Sequence, residues 1–118
     1  VLSSAASDVY KRQMHYSPAA IHNSTKHRCD GTIHYNNGHA EPFSAISWDT
    51  WTSQCERGMR LITRIEAKIT LDDGLWVDAY PYTSDGSCHS QFAIIWQKGD
   101  FIVTRIVYHN DDVDVGSS

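Results

Sequence analysis

The chain has 118 residues, a formal net charge of −4, 41% hydrophobic and 20% charged residues, the composition of one ordinary globular domain. No run reaches the roughly 18 apolar residues that a membrane span needs, and without a basic stripe the chain lacks the footprint of a nucleic-acid binder. Cys29, Cys55 and Cys88 are odd in number and far apart, so they read as three thiols in a reducing, cytoplasmic setting, with neither a disulfide framework nor a metal site.

In chain order, Ser3 to Gln13 reads SSAASDVYKRQ, which resembles the translation of a sequencing adapter. Residues 1–13 therefore count as a non-native segment, and N-terminal helices of the natural domain are expected to be missing. Residues 14–30 are polar and mixed, a loop or a frayed helix end, and Asn23-Ser24-Thr25 fits the glycosylation pattern. Gly31-Thr32-Ile33-His34-Tyr35 is a strand candidate, closed by an Asn36-Asn37-Gly38 turn whose residues accept positive φ cheaply.

Residues 40–56 predict a helix. Pro42 stands where a first turn tolerates it, Glu41 suits the positive end of the dipole, and Gly58 is a natural stop. Phe43, Ala45, Ile46, Trp48, Trp51 and Cys55 form its apolar stripe, with Trp48 and Trp51 read as core. From Met59 the period becomes two. Met59, Leu61, Thr63, Ile65, Ala67, Ile69 and Leu71 alternate with Arg60, Ile62, Arg64, Glu66, Lys68 and Thr70, predicting a bent or bulged strand over residues 59–71. Asp72-Asp73-Gly74 turns the chain into a strand over 75–82, and Thr83-Ser84-Asp85-Gly86 turns it again. Strands over 88–97 and 101–109 flank Lys98-Gly99, and the domain, 14–111, ends in an acidic tail, 112–118.

The two-residue Lys98-Gly99 loop sets Gln97 opposite Asp100. One face of this hairpin then carries Trp96, Ile94, Phe92 and Cys88 against Phe101, Val103, Arg105 and His109, and the other face is also largely apolar. Two-sided burial implies a covering layer on each side, one from the helix and one from a second subunit, which is the argument for a homodimer through the sheet face. Arg105 on an apolar face reads either as paired to an acid such as Asp78 or as lining a ligand pocket. Asp78 has two registers. A two-residue loop at Asp73-Gly74 points it at the apolar face as a proton shuttle, whereas a three-residue loop with a bulge leaves it in solvent beside Lys68 and Glu66.

Three stretches resemble the nuclear transport factor 2-like, or SnoaL-like, cystatin-like cone over residues 30–111: the strand and turn through Gly38 with a helix near Phe43, the long strand ending at Asp72-Asp73-Gly74, and the hairpin from Phe92 to Arg105. The resemblance implies an α+β fold, a curved antiparallel sheet of four long C-terminal strands plus a short N-terminal hairpin, packed on helices as a cone around a pocket. It implies a small hydrophobic, carbonyl-bearing ligand and proton-transfer chemistry of the isomerase, cyclase or dehydratase type, without a cofactor. Asp78 and Arg105 are then the catalytic candidates, and Trp76, Tyr80, Phe92, Trp96, Phe101 and His109 line the ligand. Two other readings stand beside it: a non-catalytic dimerisation or protein-binding module of that fold, and a small β-rich binding protein of lectin-like or immunity type.

Overall fold

Strand follows strand through the computed structural model, which describes residues 16–106, with the clearest period-two burial in the third and fifth strands. Nine strands form: β1 (Ala20–Asn23), β2 (Arg28–Tyr35), β3 (Ala40–Ala45), β4 (Thr50–Thr52), β5 (Ile62–Thr70), β6 (Trp76–Asp78), β7 (Tyr82–Ser87), β8 (Gln91–Gln97) and β9 (Asp100–Arg105). They make two sheets. The first has the order β4-β1-β8-β9, and the second has β3-β2-β5 with β6 and β7 one after the other along the far edge of β5. All pairings are antiparallel except β1 with β8, where Ile21 lies opposite Phe92 in a parallel register.

No helix occurs among the described residues, so the fold is all-β and the expected α+β cone is overturned. The correction centres on residues 40–56. There β3 buries Glu41, Phe43 and Ala45 and exposes Ala40, Pro42 and Ser44, a period of two. Ile46 and Trp48, which a helix would have buried, are exposed. Ser44, Ser47, Asp49, Thr50 and Thr52 are weak helix formers, and the ladder from Ala45–Cys29 to Ala40–His34 outweighs their small propensity. β3 is an edge strand, where Pro42 is tolerated because one side needs no N–H donor.

The later strands are shorter than their apolar patterns suggest. β5 spans nine residues, and an irregularity between Ile62 and Arg64 shifts the alternation so that Ile62 and Ile65 both point inward while Met59 is exposed. The strand expected over 75–82 breaks after Asp78. β6 pairs with the end of β5, β7 pairs with its start, and Ala79-Tyr80-Pro81 crosses between them. In that crossing Tyr80 N–H donates to Phe101 O (2.8 Å) and Tyr80 O accepts from Val103 N–H (2.9 Å), which stitches the second sheet to the free edge of the first. Residues 83–86, expected to turn, lie inside β7 instead.

The core fills the space between the sheets: Ile21, Phe92, Ile94 and Val103 from one, and Cys29, Ile33, Phe43, Ile65, Ala67 and Ile69 from the other. Burial pushes the Cys29 thiol up to about 11 and keeps it neutral. The covering layer expected from a helix is thus the second sheet. On the outer face of the first sheet, Ile95, Ile102 and Thr104 are only half-buried.

Candidate functional site

Two loops at one end of the sandwich meet because of a single buried amide. The Asn23 Nδ2 group donates to the carbonyls of His27 (2.7 Å), Ala45 (3.1 Å) and Ile46 (3.1 Å). Its Oδ1 accepts from Thr25 N–H (3.0 Å) and the Thr25 hydroxyl (2.7 Å). Ser47 Oγ adds a bond to Thr25 O at 3.1 Å, and Ser24 N–H reaches Ile94 O at 2.9 Å. The amide therefore ties the β1–β2 loop to the β3–β4 turn and holds both against β8. The Asn23-Ser24-Thr25 glycosylation pattern serves this internal network, with the Asn23 side chain sealed from solvent.

The β3–β4 turn closes with Asp49 N–H donating to Ile46 O at 3.1 Å, and it holds Trp48 at φ 62°, the left-handed region. A bulky L-residue sits there at a cost. Nothing repays that cost in packing, since Trp48 is 72% exposed. Facing it, the β8–β9 hairpin turns at Lys98 and Gly99, both at positive φ, with Gln97 opposite Asp100 and Trp96 opposite Phe101. This is the register a two-residue turn dictates. Trp96 belongs to the inward row of Phe92 and Ile94, but it lies past the end of the core and is 59% exposed.

Between them lies a half-open cleft of about 530 Å³, lined by Ser24, Thr25, Lys26, His27, Trp48, Trp96 and Phe101. The His27 ring stands edge-on to Phe101, with centroids 5.8 Å apart and planes at 81°, and its Nδ1 is 3.5 Å from Oδ1 of Asp72, which is not a lining residue. Lys26 adds positive charge, and no carboxylate is among the lining residues.

Of the residues singled out from sequence, the cleft unites Trp96 and Phe101. Phe92 is a core residue. Trp76 lies on the outer face of the second sheet, opposite Thr70, with Lys68 Nζ 4.1 Å from its ring centroid. Tyr80 is exposed along the β9 edge, and His109 lies outside the described residues. The Asp72-Asp73-Gly74 turn takes the three-residue form: Leu71 N–H donates to Leu75 O, Gly74 has φ 86°, and Asp78 falls opposite Lys68. Asp78 is therefore exposed, in a shallow groove of about 310 Å³ with Asp30, Thr32, Glu66 and Lys68. Arg105 stands on the other sheet, where its Nη1 donates to His89 Nε2 at 2.7 Å. Burial, with the positive charges of Arg105 and Arg57, lowers the His89 pKa and favours the neutral imidazole that accepts this bond. Neither cavity contains both Asp78 and Arg105.

Sequence reasoning missed Trp48, Lys26 and His27. The signal for Trp48 was Ser47-Trp48-Asp49 itself, a tryptophan between two turn-forming residues. Among the described residues no cluster of three His, Cys, Asp or Glu side chains is arranged to hold a metal ion.

No protein family and no curated protein matches this chain. A solved structure, the NMR structure of a protein from Eubacterium rectale, superimposes with a TM-score of 0.51 at 12% identity, covering 85% of this chain and 97% of that one. The likeness is one of fold alone.

Proposed function

We propose that this chain is a small β-sandwich binding module that holds a saccharide between Trp48 and Trp96. The observation that carries the reading is Trp48: a large side chain kept in left-handed backbone and in water, lining one cleft with a second exposed indole. Backbone strain of this kind costs about 1–3 kcal/mol and concentrates at ligand clamps. The cleft of about 530 Å³ has the volume of a small-molecule site. Indole faces are electron-rich, and the C–H face of a pyranose ring presents partial positive charge to them. Hydroxyls on the ring's rim then meet the Ser24 and Lys26 side of the cleft. An aromatic cage for a quaternary ammonium fits less well, because the lining includes Lys26 and no carboxylate.

The reading takes up the β-rich, lectin-like alternative and leaves out proton transfer. Asp78 is exposed on one sheet and Arg105 sits on the other, so the acid and the orienting cation lack a shared cavity. The test is calorimetric titration of the protein with a panel of neutral and acidic oligosaccharides, repeated on Trp48→Ala and Trp96→Ala. Both side chains are exposed, so both variants keep the fold by circular dichroism. Each loses about tenfold or more in affinity, as when an aromatic stacking platform is truncated. A panel with no binder, or variants that bind as tightly as the parent, refutes the proposal.

A further inference from the structure

We infer that the saccharide of this cleft carries a carboxylate, a uronic-acid type sugar, and that Lys26 is the residue that reads it. The inference rests on the saccharide reading above and adds the ligand's charge. Lys26 is exposed on the cleft wall and forms no ion pair among the described residues. The other cationic side chains on the outer face of the second sheet stand among carboxylates: Arg28 by Asp30 at 3.2 Å, Arg64 by Glu66 at 3.8 Å, and Lys68 opposite Asp78. The chain as a whole is acidic, at −4, so its long-range field repels an anion, and recognition of a carboxylate has to come from a close cation such as Lys26. Asp72 lies 3.5 Å from His27 Nδ1 and is not among the lining residues.

Geometry selects where the charge must lie. A pyranose clasped between two indoles presents its faces to Trp48 and Trp96, and only substituents in the plane of the ring escape the clasp. An equatorial carboxylate lies in that plane and is left to the polar part of the lining, which the β1–β2 loop supplies as Ser24, Thr25 and Lys26. Neither stacked face is interrupted. Asn23, through its bonds to the His27 and Ile46 carbonyls, keeps that loop at a fixed distance from the Trp48 turn.

The experiment compares a hexuronate oligomer with the neutral hexose oligomer of the same linkage and length, by calorimetric titration at low and at high salt. The acid binds about two- to fivefold tighter at low salt, the range of an exposed ion pair. The advantage shrinks at about 1 M salt, where the Debye length is about 3 Å. Lys26→Met brings the acid-to-neutral ratio to one, Lys26→Arg keeps it above one, and Lys26→Glu inverts it. A wild-type ratio of one with both sugars bound overturns the inference and leaves the saccharide reading standing, as does a ratio that Lys26→Met does not change. If neither oligomer binds, both fall.

Discussion

Arg57→Met should be among the most damaging single substitutions in this domain, because Arg57 is a buried cation with no carboxylate to answer it among the described residues. Its side chain is 2% exposed. Nε donates to Arg60 O at 2.9 Å, Nη1 to His89 O at 2.8 Å and Ser17 O at 3.3 Å, and Nη2 to Ser87 O at 2.6 Å. The guanidinium lies 5.3 Å from the centroid of the Tyr16 ring. Burial lowers its pKa, yet a guanidinium stays charged in proteins. One planar fork therefore ties the segment before β1, the loop before β5 and the β7–β8 connection. Methionine keeps the stem volume and removes every donor. Four carbonyls lose a charge-assisted partner at about 1 kcal/mol or more each, while relief of the desolvated charge returns a part. The net loss is about 3 kcal/mol. For a domain of this size that lowers Tm by about 12–24 °C. Lysine restores the charge but offers its donors from one point, so it recovers less than half. Urea unfolding followed by circular dichroism measures the difference. A midpoint for Arg57→Met within about 1 kcal/mol of the parent, at unchanged m, refutes the view that this fork holds the three segments together.

Three further outcomes follow from the same geometry. Trp48→Gly is more stable than Trp48→Ala by about 1 kcal/mol in urea, since only glycine sits at φ 62° without strain, and both variants lose ligand. Gly31→Ala destabilises by about 1–3 kcal/mol or more, because its Cβ meets the Glu66 carbonyl oxygen and, at 2.6 Å, the Phe43 ring, and the backbone oxygen has nowhere to go; the urea midpoint reads it. Burial, with the Glu41 carboxylate that accepts the Tyr35 hydroxyl at 3.0 Å, raises the Tyr35 phenol from 10.0 to about 12. Between those pH values the native state holds a proton that the unfolded chain has released, so stability present below pH 10 is lost as pH rises towards 12, by about 3 kcal/mol. Unfolding followed across that range in the parent and in Tyr35→Phe checks it: the parent weakens, and Tyr35→Phe weakens much less.

Legibility in the sequence followed the range of the interaction. The Lys98-Gly99 turn and its register, the Asn36-Asn37-Gly38 turn and the alternation of β5 from Ile65 to Ile69 depend on residues a few positions apart, and each stood in the sequence as expected. The stretch over 40–56 carried a helical stripe and a strand alternation at once. Local propensity was too weak to choose between them, and pairing with β2 decided for the strand. The same holds for the site. Trp96 and Phe101 were visible as an opposed aromatic pair, but Trp48 looked like helix core until its turn left it in water. The Asp78 register was open on paper and was decided by a three-residue turn.

What residue order alone determined here is the turns at Asn36-Asn37-Gly38 and Lys98-Gly99 and the alternation from Ile65 to Ile69, because φ preferences and side-chain parity act within a few bonds. The tertiary structure decided that β1 lies parallel to β8, that Arg57 is buried, and that residues 24–27, Trp48, Trp96 and Phe101 share one cleft. Those outcomes depend on which carbonyls and apolar faces remain unpaired once the sheets meet, and that balance exists only in the folded chain.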